Sequence, residues 1–170
     1  EEKTLEECGL TTTVEEHRVT VVVDGRKRFV VLGGYGEAGK TTEILDPETM
    51  KFTPGPSLGE VRDFSVVAPL GKRRALVFGG YKGNRDTSEI VDLGSFTSVP
   101  GPKLGDLQRY GAAAVPLDEE GKIITIGGQY CLFLKTTAIF DPKTNKFTEG
   151  PTMSTGRSFP AAVRLDESRI

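Results

Sequence analysis

Residues 29–46 read FVVLGGYGEAGKTTEILD, and the reading of this stretch decides the fold. Its middle, GYGEAGKT from Gly34 to Thr41, satisfies letter for letter the phosphate-cradling pattern G-x-x-x-x-G-K-[ST], and the apolar run before it reads as a strand. A phosphate cradle needs a helix to begin at the Gly-Lys, so that the first amides and the helix dipole face the anion. Here the Gly-Lys runs into TTEILD instead. Whether the match means anything depends on whether the segment stands alone or recurs.

It recurs. Gly-Gly doublets close apolar runs at Gly33-Gly34, Gly79-Gly80 and Gly127-Gly128, in the settings FVVLGGY, ALVFGGY and IITIGGQ, spaced 46 and then 48 residues apart. TTEILDPETMKFTPGPSL (41–58) returns as TTAIFDPKTNKFTEGPTM (136–153), with a looser copy, TSEIVDLGSFTSVPGPKL, at 87–104. An arginine opens RDFSVVA at Arg62, RYGAAAV at Arg109 and RSFPAAV at Arg157, in steps of 47 and 48. Three landmarks on one period make an internal repeat of about 47 residues. The loop matching GYGEAGKT is GYKGNRDTS in the second copy, with Asp86 where Lys40 stands, and GQYCLFLKTT in the third, with no glycine before Lys135. The phosphate-binding reading is therefore rejected. The doublets are assigned to positive φ or close backbone approach where a second strand leaves its sheet.

Each copy predicts four short strands; in the second they are 64–68, 75–78, 88–92 and Phe96 with its neighbours. The first two are almost continuously apolar, which predicts burial on both faces. The third mixes polar and apolar residues, which predicts a more exposed place. The DPET and DPKT segments supply the Asp and Pro of tight turns. A four-stranded sheet of this size cannot cover both its faces alone, so the copies must stack radially on one another. The 21 glycines and 10 prolines agree with many short strands joined by turns.

Other function classes find little here. A net charge of −2 provides no global attraction for nucleic acid or an anionic membrane, and no apolar stretch approaches the roughly 18–20 residues that span a bilayer. Cys8, Cys131 and His17 are too few and too scattered for a disulfide framework or a zinc site. With no N-x-[ST] acceptor either, the expectation is a cytoplasmic protein with reduced thiols and no metal or cofactor. One histidine supports no Ser-His-Asp or Cys-His arrangement, and Asp118, Glu119 and Glu120 occupy a hairpin turn, so no enzyme is expected.

The repeated apolar-run–Gly-Gly signature, the [EA]-I-[LVF]-D strand and the aromatic that precedes a later Gly-Pro resemble the kelch repeat of β-propellers in the galactose oxidase-like superfamily. One departure is the lack of any tryptophan; Phe52, Phe96 and Phe147 are read as holding the place of the family's last-strand indole. The resemblance implies an all-β, kelch-type propeller segment of about three and a half four-stranded blades. Residues 1–13 would be the last strand of a preceding blade or a linker, 14–58, 59–104 and 105–153 three blades, and 154–170 the start of a truncated fourth. The chain is expected to be part of a larger propeller, with pairing of two chains to close one ring as the other expectation.

The resemblance further implies a non-catalytic protein-binding module, as a scaffold or the substrate-recognition part of an adaptor. Other readings are a propeller-type sugar oxidase or isomerase relative and a structural subunit of a large assembly. In the family the loops between strands two and three and the blade connections form the binding face. On this sequence they carry Tyr35, Lys40, Arg62, Tyr81, Lys82, Arg85, Arg109, Tyr130, Phe133 and Arg157. Tyr and Arg dominate interface energetics, and such a cationic, aromatic face matches an acidic segment of another protein. The competing reading of the three repeated arginines is that they brace neighbouring blades by bonding main-chain carbonyls. Two basic trios, Arg26-Lys27-Arg28 and Lys72-Arg73-Arg74, would sit on the opposite rim, where they attract an anionic partner or are merely solvated. No nucleic acid or membrane partner is expected.

Overall fold

The computed structural model describes residues 18–23, 26–71, 73–81 and 85–165. Within them the chain is all-β. The first sheet holds β1 (Arg18–Val23), β2 (Arg26–Leu32), β3 (Thr42–Asp46) and β4 (Lys51–Pro54), and the second β5 (Val66–Pro69), β6 (Arg74–Phe78), β7 (Ser88–Asp92) and β8 (Thr97–Pro100). The third opens with β9 (Ala113–Pro116) and β10 (Ile123–Ile126). A small hairpin of β11 (Gln129–Tyr130) and β12 (Leu132–Phe133) intervenes before β13 (Thr137–Asp141) and β14 (Lys146–Glu149) complete it. Every four-stranded sheet is an antiparallel meander with its strands in chain order.

Across sheets it is the first strands that meet: β5 lies against β1 and against β9. The fourth strands, β4, β8 and β14, are mostly exposed. Three meanders that converge on their first strands and splay toward their fourth do not close a barrel; they form a partial β-propeller.

The alternation of side chains along β6 explains the stacking. Ala75 and Val77 face the first sheet, where they pack with its Val30 and Leu32 alongside Val91 of their own sheet. Leu76 and Phe78 point the other way and pack with Val66, Ala68, Ile123 and Phe140 of the second and third sheets. Leu76, Val77 and Phe78 are all 0% exposed, so the middle sheet is covered on both sides. Full burial of side chains this size is worth about 1.5–3 kcal/mol each, which makes the two inter-sheet layers the core of the molecule.

One expectation holds in part and another needs correction. Of the third strands, β3 is buried only at Thr42, as the mixed pattern predicts, but β7 and β13 are buried at three of five positions each; Thr42, Ser88 and Thr137 are among the buried polar residues. Their polarity has a use. These hydroxyls donate to the carbonyls of Pro56, Pro102 and Pro151 at 2.7, 2.5 and 2.7 Å, so each Gly-Pro is clasped onto the start of its third strand. Phe96 does not share the place of Phe52 and Phe147. Val91 pairs with Ser98 as Leu45 pairs with Phe52 and Phe140 with Phe147, so Ser98 holds that position. Phe96 instead takes the left-handed conformation (φ 56°) of the preceding turn, as do Met50 and Asn145. Of the three phenylalanines Phe147 is the half-buried one, its ring 5.2 Å from those of Phe78 and Phe140, whereas Phe52 is 54% exposed.

The doublets behave as their recurrence implies. Gly33, Gly79 and Gly127 lie at φ 69°, 67° and 65°. A Cβ on Gly79 would run into the carbonyl oxygen of Arg109, and one on Gly33 would stand 2.9 Å from that of Arg62. The second glycine of each pair then donates its N–H to the same oxygens: Gly34 to Arg62, Gly80 to Arg109, Gly128 to Arg157. Every doublet thus abuts the opening arginine of the next unit. A short 3₁₀ turn over Gly36–Lys40 ends, rather than begins, at Lys40, and Lys40 Nζ donates to Gly59 O at 2.9 Å. No phosphate cradle is formed there.

Candidate functional site

The repeated arginines divide into two classes. Arg62 is 1% exposed, and its guanidinium donates to Gly79 O and Thr87 O at 3.1 Å and pairs with Glu89 at 2.9 Å. Arg109, also 1% exposed, donates to Leu107 O, Gly127 O and Thr136 O at 2.9, 3.1 and 3.1 Å. Both are internal struts that tie the unit's opening to its own doublet and third strand. Their nomination as partner contacts is therefore corrected: neither presents a guanidinium at the surface. Arg157 remains exposed.

The two struts are balanced differently. Burial works against the charged form of Glu89, but the Gly59 amide, the Ser98 hydroxyl and Arg62 together hold its carboxyl below the usual range. Burial likewise pulls Arg62 down while Glu89 opposes it. Ala138 replaces the carboxylate in the third unit, and burial pushes Arg109 down to about 10. It stays charged at neutral pH, solvated by carbonyl oxygens.

The tyrosines assemble. Tyr35 stacks toward Phe64 (centroids 6.1 Å apart), Phe64 meets Tyr81 edge-on at 6.3 Å, and Tyr81 meets Tyr110 edge-on at 5.1 Å. The Arg85 guanidinium carbon lies 5.7, 5.7 and 5.5 Å from the ring centroids of Tyr81, Tyr110 and Tyr130. A continuous run of ring contacts therefore crosses all three units from Tyr35 to Tyr110, and Arg85 links Tyr130 to it, so the cluster contains every tyrosine of the chain. Tyr35, Tyr81 and Tyr130 are 68%, 43% and 37% exposed, while Tyr110 is the buried floor, its phenol raised above the ordinary range by burial and by Tyr81. Exposed Leu132 and Phe133 stand beside Tyr130 on the β11–β12 hairpin.

Three members of this face, Phe64, Tyr110 and Phe159, were not among the sequence candidates. The signal was present in RDF, RYG and RSF, where the positions after the arginine recur. Phe64, Gly111 and Phe159, each two residues beyond an arginine, share φ of 53°, 57° and 49°. Gly111 N–H donates to Phe64 O and Phe159 N–H to Gly111 O, a ladder running from unit to unit. Glycine at 111 makes room for the Phe159 ring, which crosses it to reach Phe64 at 5.7 Å. A phenylalanine held left-handed costs of order 1 kcal/mol or more, and such strain concentrates at functional surfaces.

The remaining candidates are scattered. Lys82 and Lys72 lie outside the described residues, as does His17. Arg26 and Lys27 belong to the β1–β2 ladder rather than to the turn, and Arg28 pairs with Asp46 at 3.1 Å, so one charge of that trio is already matched. Arg74 opens β6, and Arg73 supplies a carbonyl to the Leu93 amide. No protein-family model and no curated protein matches the chain. Among the described residues no helix is long and apolar enough to cross a membrane.

Proposed function

We propose that the chain is a non-catalytic protein-binding segment of a kelch-type β-propeller, acting in the cytoplasm as a scaffold or as the recognition part of an adaptor. One observation carries this reading: the tyrosine–phenylalanine face assembled from the same end of three successive sheets, with large aromatic area exposed on a rigid base. Exposed aromatics on an ordered frame supply the low-entropy contact area that dominates protein interfaces. The repeat builds the face, because each unit contributes a ring from the residue after its glycine doublet or from those following its arginine.

The test is affinity capture with the 170-residue chain against its Tyr35→Ala/Tyr81→Ala variant at matched thermal stability. A specific partner retained by the native chain and lost by the variant supports the reading. Equal recovery of every bound protein counts against it.

A further inference from the structure

Arg85 is held in an unusual way for a surface arginine. Its Nε donates to Tyr81 O at 3.0 Å, and its guanidinium carbon rests within 5.7 Å of three tyrosine ring centres. The side chain is half-buried, so its orientation is set by the fold rather than by solvent. Among the described residues, neither Nη atom donates to any acceptor and no carboxylate pairs with it. Arg62 has Glu89 at 2.9 Å, Arg28 has Asp46 at 3.1 Å and Arg164 has Glu119 at 3.3 Å, whereas Arg85, like the buried Arg109, has no acid, and unlike Arg109 it donates to no carbonyl through Nη. With 24 acidic residues in the chain, an arginine fixed on an exposed face and left without an acid is a fork with its tines unused.

We propose that Arg85 is the anion-binding point of the aromatic face, where it clamps one oxyanion of a partner protein, the carboxylate of an acidic side chain or the phosphate of a phosphorylated one. This rests on the protein-binding reading given above and names the group recognised. The tyrosines fix the guanidinium plane by cation–π contact and lower the entropy lost when it is engaged. The Tyr81 carbonyl consumes Nε, which leaves the two Nη groups to make the paired hydrogen bonds that planar oxyanions accept. Tyr81 and Tyr130 flank the bound group with exposed ring, suited to apolar neighbours of the acidic residue.

The test is titration of the ¹⁵N-labelled chain, following the Arg85 Nε–Hε resonance in the native chain and, in native and variant alike, the backbone amides of Tyr81, Tyr110 and Tyr130 around it. Two probes separate the sources: the peptide amide acetyl-Glu-Glu-Glu, and acetyl-Gly-phosphoserine-Gly. Saturable movement with either supports the proposal and identifies its source. Arg85→Lys, which keeps the charge and loses the fork, is expected to weaken binding at least tenfold, whereas Lys51→Gln, an exposed cation on β4 away from the face, changes it less than twofold. No saturable movement with either peptide overturns the proposal, as does equal affinity in Arg85→Lys. Movement with tetramethylammonium but not with the peptides also overturns it, because the tyrosines would then be a cage for an incoming cation. The wild-type titration stands even if Arg85→Lys folds poorly. The two readings fail separately: unchanged partner capture by Tyr35→Ala/Tyr81→Ala removes the protein-binding face, whereas lost capture with peptide affinity intact in Arg85→Lys removes only the clamp.

Discussion

Replacing Glu89 with alanine should be among the most damaging single changes in the molecule, and the structure says by how much. Glu89 accepts from Arg62 Nε and Nη2 at 3.1 and 2.9 Å, from the Gly59 and Glu60 amides at 2.7 and 3.1 Å, and from Ser98 Oγ at 2.8 Å. Alanine leaves the Arg62 cation buried without its acid and abandons two amides in the connection that leads into β5. Breaking a buried pair by removing one partner costs about 3–5 kcal/mol. For a domain of this size that lowers Tm by about 6–20 °C. Glu89→Gln keeps one oxygen for Arg62 but turns an amide NH₂ toward donors, so an intermediate loss of about 1–3 kcal/mol is expected. Because the folded Glu89 titrates below the usual carboxylate range, its contribution is present above that range and is lost as pH falls through its folded value. Glu89→Gln should therefore flatten the acid limb of the stability curve and leave the neutral-to-basic limb parallel to the native one. Urea unfolding at several pH values with circular dichroism reads both effects. A loss below about 1 kcal/mol for Glu89→Ala would refute the strut.

Other consequences follow from the same geometry. Gly79→Ala, at φ 67° with the Arg109 carbonyl in the way, should cost about 2–4 kcal/mol, whereas Gly71→Ala, at φ 78° with open space around it, should cost about 1 kcal/mol; paired denaturation curves compare them. Arg109→Met removes the hydrogen bonds to Leu107, Gly127 and Thr136 and strands the Leu107 and Gly127 carbonyls, an expected loss of about 2–4 kcal/mol by thermal melting. Mg-ATP should leave Tm unchanged in the native chain and in Lys40→Ala alike, because Lys40 is committed to Gly59 and the 3₁₀ turn ends where a phosphate-binding helix would start. A stabilisation by ATP that Lys40→Ala abolishes would restore the nucleotide reading.

The period carried most of the fold. Glycine doublets, the Asp turns and the third-strand motif recur because each sheet repeats one backbone path, and β7 falls on 88–92 as expected. What the pattern could not show is where a polar side chain points. Thr42, Ser88 and Thr137 are polar positions of strands whose mixed pattern predicts exposure, yet each is buried and donates to a proline carbonyl 14 residues on. For Arg62 and Arg109 the recurrence allowed both an interface and a bracing reading, and the carbonyls of Gly79, Thr87, Gly127 and Thr136 decide for the brace. The tyrosines were legible as loop residues. Their convergence was not, since it depends on Phe64 and Phe159 adopting left-handed backbone and on Gly111 leaving room between them.

The measurement that bears most directly on the account is the aromatic region of a NOESY spectrum, assigned through selectively labelled phenylalanine and tyrosine. Sheets stacked side by side, with one face shared among them, predict cross-peaks between the rings of Phe64 and Tyr81, Tyr81 and Tyr110, and Phe64 and Phe159, whose centroids lie 6.3, 5.1 and 5.7 Å apart. Rings that give only intraresidue and sequential peaks would mean that the units do not converge, and both the stacking and the binding face would be lost together.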